Sequence, residues 1–165
     1  MTKRTETELE DAVADLSAAS AEFCDASLLV CVSEPRGPRD ETRHFVSTRG
    51  NAYVVRELAA LHLDGALAAG ASLVGPSGTI PASDVYEGVD DPAALAGWES
   101  PFADALAAAF SKFVGRAGEP ASALFLGSCP GGALPGLAQV VSFSFGNPLA
   151  ASGALSDWRG RLDGP

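Results

Sequence analysis

A chain of 165 residues with a formal net charge of −10 is long enough for one domain, residues 1–165, whose core needs neither metal nor disulfide bonds. The acidic charge argues against nucleic acid and anionic membranes as partners, because both require a positive protein surface. No apolar run reaches the length of a bilayer-spanning helix, and residues 1–13 lack the apolar core of a signal peptide. The sequence therefore predicts a cytoplasmic protein.

The first half of the sequence predicts a helix, two strands and a second helix. Apolar residues recur at helical spacing over 5–23, with acidic residues between them. The near-continuous apolar run 27–33 is typical of a strand buried on both faces. A returning strand is predicted over 42–48, before Gly50-Asn51, where Asn51 is suited to cap a helix that begins at residue 52.

The second half repeats this order after an irregular segment, 70–99. That segment is rich in turn residues and is interpreted as a lid, a binding loop or a missed element. Helical spacing returns over 102–114, and two further strands are predicted over 122–128 and 139–145. The dipeptide Asn147-Pro148 then marks the start of a last helix.

The two halves, 5–69 and 100–162, can be aligned as a weak repeat. Residues 26–55 match 122–151 without a gap, so that Gly50-Asn51 aligns with Gly146-Asn147. Two interpretations stay open, an internal αββα duplication and a chance agreement between sequences of similar composition. We expect an α+β fold, with a mostly antiparallel sheet of about four strands and helices largely on one face.

The two predicted hairpins differ in charge. The first contains three arginines and two acidic residues over 36–43, whereas residues 120–156 contain no charged residue. This contrast predicts an exposed edge for the first hairpin and a covered position for the second, inside the chain or against another subunit. The second alternative predicts a homodimer, whose interface includes Leu134, Val140, Ser142 and Ser144.

One corner of the chain has the residue types that bind anions. A helix N-terminus offers free backbone N–H groups, and arginines precede it on the same predicted strand face. The candidate ligand-binding residues are Arg43, Ser47, Arg49, Gly50 and Asn51. Ordinary helix capping is the alternative explanation for the asparagine.

Catalytic motifs are absent from the sequence, and Cys129 is the weak candidate nucleophile, at a strand end beside glycines. Three cysteines without a CxxC pair favour a reducing compartment, and the scattered Cys and His residues predict neither a metal site nor a cofactor. We therefore expect a non-enzymatic interaction or regulatory module that self-associates, similar in size and charge to acidic chaperones and immunity proteins. The alternative is a small anion-binding protein or enzyme that uses the Arg43/Arg49/Asn51 corner.

Overall fold

A computed structural model describes residues 3–33, 42–75, 78–80, 101–117, 121–129, 136–162 and 164. In chain order its elements are α1 (Lys3–Phe23), β1 (Ala26–Ser33), β2 (Arg43–Gly50), α2 (Ala52–Leu63), β3 (Gly70–Gly75), β4 (Gly78–Ile80), α3 (Pro101–Ala117), β5 (Ala121–Cys129), β6 (Ala138–Phe145) and α4 (Pro148–Leu162). Apart from β3 and β4, which were not predicted, the boundaries lie close to those that the turn and capping residues predict.

The strands form one sheet in the order β2-β1-β5-β6-β3-β4, and every neighbouring pair is antiparallel. Strands β1 and β5 are both internal and pair with each other, so the two halves of the chain meet within the sheet. The charged strand β2 lies at an edge, whereas both strands of the uncharged hairpin are internal. The predicted contrast between the two hairpins thus holds for their positions in the sheet.

The helices cover both faces of the sheet. On one face α1 and α3 pack together over a cluster that includes Leu16, Leu29, Phe113 and Phe125. An ion pair between Arg116 and Asp15 also joins these two helices. On the other face α2 and α4 pack over a second cluster, built from the alternate residues of the same strands.

The α+β class is confirmed, but two details of the expectation differ from the structure. The sheet has six strands rather than about four, because 70–75 and 78–80 in the segment interpreted as irregular form β3 and β4. The helices lie on two faces rather than one, because β1 is buried on both sides along almost its whole length. Residues 76–77 and 81–99 of the irregular segment lie outside the described residues.

The hairpins of the two αββα halves agree in register as well as in order. Ser27 pairs with Arg49, and 96 positions later Ala123 pairs with Phe145, so both hairpins share one register. Leu29 and Phe125, themselves 96 positions apart, pair with each other where the two halves meet. A pseudo-twofold axis that relates the four strands β2, β1, β5 and β6 would pass through this pair, while descent from a duplication stays a prediction.

The same correspondence extends to the helices α2 and α4. The buried residues of α2 are matched, 96 positions later, by the buried residues of α4: Val55, Leu58 and Ala59 by Ala151, Ala154 and Leu155. Both helices therefore present the same positions to the sheet.

Asparagine caps begin both of these helices. Asn51 accepts a hydrogen bond from the Tyr53 backbone N–H at 2.9 Å, and Asn147 accepts one from the Leu149 N–H at 3.0 Å. A glycine with positive φ precedes each cap, +86° at Gly50 and +78° at Gly146. The capping role predicted for both asparagines is confirmed.

Candidate functional site

The residues of the predicted anion corner do not converge. Arg43 and Arg49 lie at opposite ends of the eight-residue strand β2. At a rise of about 3.3 Å per residue their α-carbons are roughly 20 Å apart, too far for one phosphate or carboxylate to contact both. Asn51 is occupied as the cap of α2, and Gly50 contributes no side chain.

Arg49 has a structural partner. Its guanidinium donates to the backbone carbonyl of Cys24 at 3.0 and 3.3 Å and to that of Ala21 at 3.4 Å. These carbonyls lie at the C-terminal end of α1, where the helix has no further backbone donors and carries a partial negative charge. The positive side chain therefore caps α1 and fastens it to the edge strand.

We expect Arg49→Ala to lower the free energy of unfolding by about 1–2 kcal/mol, because the helix carbonyls lose a charged donor. Arg43→Ala is the matched control on the same strand; its side chain is exposed, so the expected change is within about 0.5 kcal/mol. Urea unfolding followed by circular dichroism measures both. Equal stability of the two variants would contradict the capping role.

Ser47 lies beside Arg49 over a small cavity between α1 and the sheet. The residues that line it include Ser17, Ser20 and Ser27, and its volume is about 10 Å³. A space of that size holds about one water molecule and no metabolite. The hydroxyls also bond within the chain, since Ser20 donates to the Ser17 carbonyl at 2.9 Å.

Cys129 has a thiol neighbour rather than a base. Its Sγ lies 3.7 Å from Cys24 Sγ, and both thiols are free and buried. The two histidines make contacts to α4: His62 Nε2 is 3.4 Å from Ser152 Oγ, and His44 Nε2 accepts from Arg161 at 2.8 Å. The described contacts thus give Cys129 no histidine partner.

Burial shifts the pKa values of two further groups, the Cys31 thiol and the His62 imidazole. Burial raises the pKa of the Cys31 thiol to about 12, since the thiolate would lose its hydration. Burial also lowers the pKa of His62 below its ordinary value, which favours the neutral imidazole. Neither shift prepares a nucleophile at neutral pH.

The predicted interface residues separate into buried and exposed positions. Val140 and Ser142 are 2% and 7% exposed, whereas Ser144, near the end of β6, is exposed. Leu134 lies outside the described residues. On the opposite face of β6, Val141 is buried and Phe143 stacks on Phe125, but Phe145 is half exposed.

An apolar groove that the sequence analysis missed lies between α2 and the strands β3, β5 and β6. Its volume is about 230 Å³, and its walls include Tyr53, Val54 and Leu61 of α2 together with Val74 and Val140 of the sheet. Glu57 is the charged residue in its lining. The helical spacing of these α2 residues was visible in the sequence, but the pairing of β3 with β6, which completes the groove, was not.

Within the described ranges no group of three or more His, Cys, Asp or Glu side chains is placed to hold a metal ion. The helices described here are all too short or too polar to cross a membrane. Three comparisons with known proteins found no match: no family model, no curated protein and no solved structure is significantly similar to this chain. The groove and the thiol pair are therefore interpreted from their geometry alone.

Proposed function

We propose that the protein is a non-enzymatic interaction module that self-associates as a homodimer, and that the groove between α2 and β6 is its contact surface. The apolar lining of this groove is the observation that carries the proposal. The proposal includes a cytoplasmic location, which is based on the odd number of cysteines and the absence of a CxxC pair in the sequence.

The size of the groove favours a protein contact over a metabolite site. Pockets that bury small molecules usually measure about 300–1,000 Å³ and contain several converging polar groups. At about 230 Å³, with one charged residue in its lining, this groove has the room and the chemistry for one or two apolar side chains of a partner. Side chains of that kind supply most of the energy of a protein interface.

A second copy of the chain is the occupant that we infer. Tyr53 lines the groove and is 79% exposed, so it stands at the rim as a large side chain without cover. In a twofold dimer the same patch meets itself, and each Tyr53 can enter the groove of the other subunit. Tyrosine is well suited to such a position, because its ring buries much apolar area while its hydroxyl stays hydrated.

We expect Tyr53→Glu to weaken self-association at least tenfold, because it places a charge where the apolar surfaces meet. Leu149→Glu is the matched control. Leu149 occupies the equivalent first turn of α4, donates its N–H to Asn147 and is 81% exposed, but it does not line the groove. Sedimentation equilibrium of both variants and of the wild type measures the association constant.

The sedimentation result distinguishes a homodimer from a monomer that binds a different protein. A wild-type chain that stays at 16.8 kDa at micromolar concentration would overturn the homodimer, as would equal weakening by both variants. A monomer whose groove captures a different protein would keep the interaction module but change its partner. The anion-binding alternative has less support, because Arg49 caps α1 and Arg43 lies at the other end of β2.

A further inference from the structure

The thiols of Cys24 and Cys129 form a matched pair inside the core. Cys24 follows α1 and Cys129 ends β5, so 105 positions separate them in the chain. A backbone hydrogen bond joins the two segments next to these cysteines, since the Asp25 N–H donates to the Ser128 carbonyl at 2.9 Å. Their sulfur atoms are 3.7 Å apart, and a disulfide bond is about 2 Å long.

A glycine makes room for this pair. A Cβ atom placed on Gly127 would lie 2.8 Å from the Cys24 sulfur and 3.2 Å from a side-chain carbon of Val141. Carbon and sulfur do not approach so closely, so any larger residue at 127 would displace the thiol. The fold thus keeps space for the Cys24 side chain next to Cys129, in a core whose other residues are mostly Phe, Leu, Val and Ala.

From this geometry we propose that Cys24 and Cys129 are a reactive dithiol site, which hydrogen peroxide converts into an intramolecular disulfide and a thiol reductant restores. Both side chains are nearly buried, so a small oxidant suits the site better than a bulky one. Cys31, also buried, has no such thiol neighbour among its described contacts and stays reduced.

The reaction balances in two steps. The Cys129 thiolate attacks one peroxide oxygen, the O–O bond breaks, and a sulfenic acid forms while the departing hydroxide takes up a proton as water. The Cys24 sulfur then attacks the sulfenic sulfur, the S–S bond forms and the S–O bond breaks, releasing a second water. Two thiols and one peroxide give one disulfide and two waters, and the two electrons pass from sulfur to the peroxide oxygens.

The surroundings favour Cys129 as the first thiol to react. The contact with Cys24 lowers the pKa of Cys129, against the opposing effects of burial and of the Asp25 carboxylate. The same contact raises the pKa of Cys24, and burial, Cys129 and Asp25 act in that direction too, while Arg49 opposes them. One thiolate is therefore stabilised by the thiol of its neighbour, as in other reactive pairs.

The test treats the full-length chain with hydrogen peroxide, stops the reaction with catalase and alkylates the remaining thiols in denaturant. We expect the intact mass to lose two hydrogen atoms, one thiol in three to stay alkylatable, and dithiothreitol to reverse the change. At a fixed excess of peroxide, the rate constant for disulfide formation should not depend on protein concentration, since the bond is intramolecular. Cys31→Ser should form the same disulfide, whereas Cys24→Ser and Cys129→Ser should not.

Peptide mapping of the oxidised wild type keeps the test independent of how well the variants fold. A linked peptide pair that contains Cys24 and Cys129 supports the proposal. A disulfide that includes Cys31, a covalent dimer, or three alkylatable thiols after peroxide treatment would overturn it. Oxidation of single cysteines to sulfinic acid without any disulfide would overturn it as well.

Discussion

Replacing Gly50 with alanine is expected to lower the free energy of unfolding by about 3–5 kcal/mol, among the largest losses that a single methyl group can cause. Gly50 has a φ of +86°, which a residue with a Cβ adopts at a cost of about 1–2 kcal/mol. A Cβ here would also lie 2.0 Å from the Asp25 carbonyl oxygen and 2.8 Å from the Ala26 Cα. Both are backbone atoms at the start of the neighbouring strand, since Asp25 directly precedes β1 and Ala26 is its first residue, so neither can move without disturbing the β1–β2 pairing.

Gly65→Ala is the control that separates the two effects. Gly65 has a φ of +70°, but an added Cβ would meet nothing within 4 Å. We expect this variant to lose about 1–2 kcal/mol, the conformational cost alone. Urea unfolding followed by circular dichroism gives both values, and equal losses would show that the strand contact at Gly50 costs nothing.

The second large effect is expected at the centre of the sheet. Phe125→Ala should lower the free energy of unfolding by about 3–5 kcal/mol, because it removes a buried ring and leaves a cavity. The ring is 1% exposed, and its centroid lies 6.5 Å from that of Phe110 and 6.4 Å from that of Phe143. The loss therefore affects α3, β5 and β6 together.

Phe145→Ala provides the comparison on the neighbouring strand. This ring is half exposed at the end of β6, so we expect a loss of about 1 kcal/mol or less. Guanidinium melts of the two variants measure the difference. Similar midpoints would mean that the stacked rings contribute no more than a surface phenylalanine.

Most helices and strands could be predicted, because turn and capping residues separate the runs of apolar residues. Gly50-Asn51 and Gly146-Asn147-Pro148 mark strand ends and helix starts, and the structure places them there. Strand β3 could not be predicted in this way, since four of its six residues are Gly, Ala or Ser, which have weak strand preference. It forms because β6 offers it a partner, and that pairing depends on residues about 70 positions apart.

The placement of helices on both faces of the sheet could have been predicted from strand β1. The run 27–33 indicated burial on both faces, which requires a cover on each side of the sheet. The expectation of helices largely on one face was inconsistent with this requirement.

The candidate sites were less predictable, because strand alternation shows which residues share a face but not what lies against it. Arg49 and Ser47 do share a face, as predicted, but the C-terminal turn of α1 occupies that face and takes the guanidinium. The proximity of Cys24 to Cys129 depends on the pairing of β1 with β5, which joins distant parts of the chain. The groove likewise needs β3 beside β6.

The pairing of β1 with β5 affects how the chain can fold while it is being synthesised from its N-terminus. When β1 and β2 leave the ribosome, the strand that covers the other edge of β1 has yet to be made, and about 90 residues separate the two. Until β5 arrives, an apolar strand edge is open to any extended chain nearby, which is the usual start of aggregation. Pairings this distant also slow folding, because a long loop must close before they form. We therefore expect the chain to be most prone to aggregation while only its first half has been made.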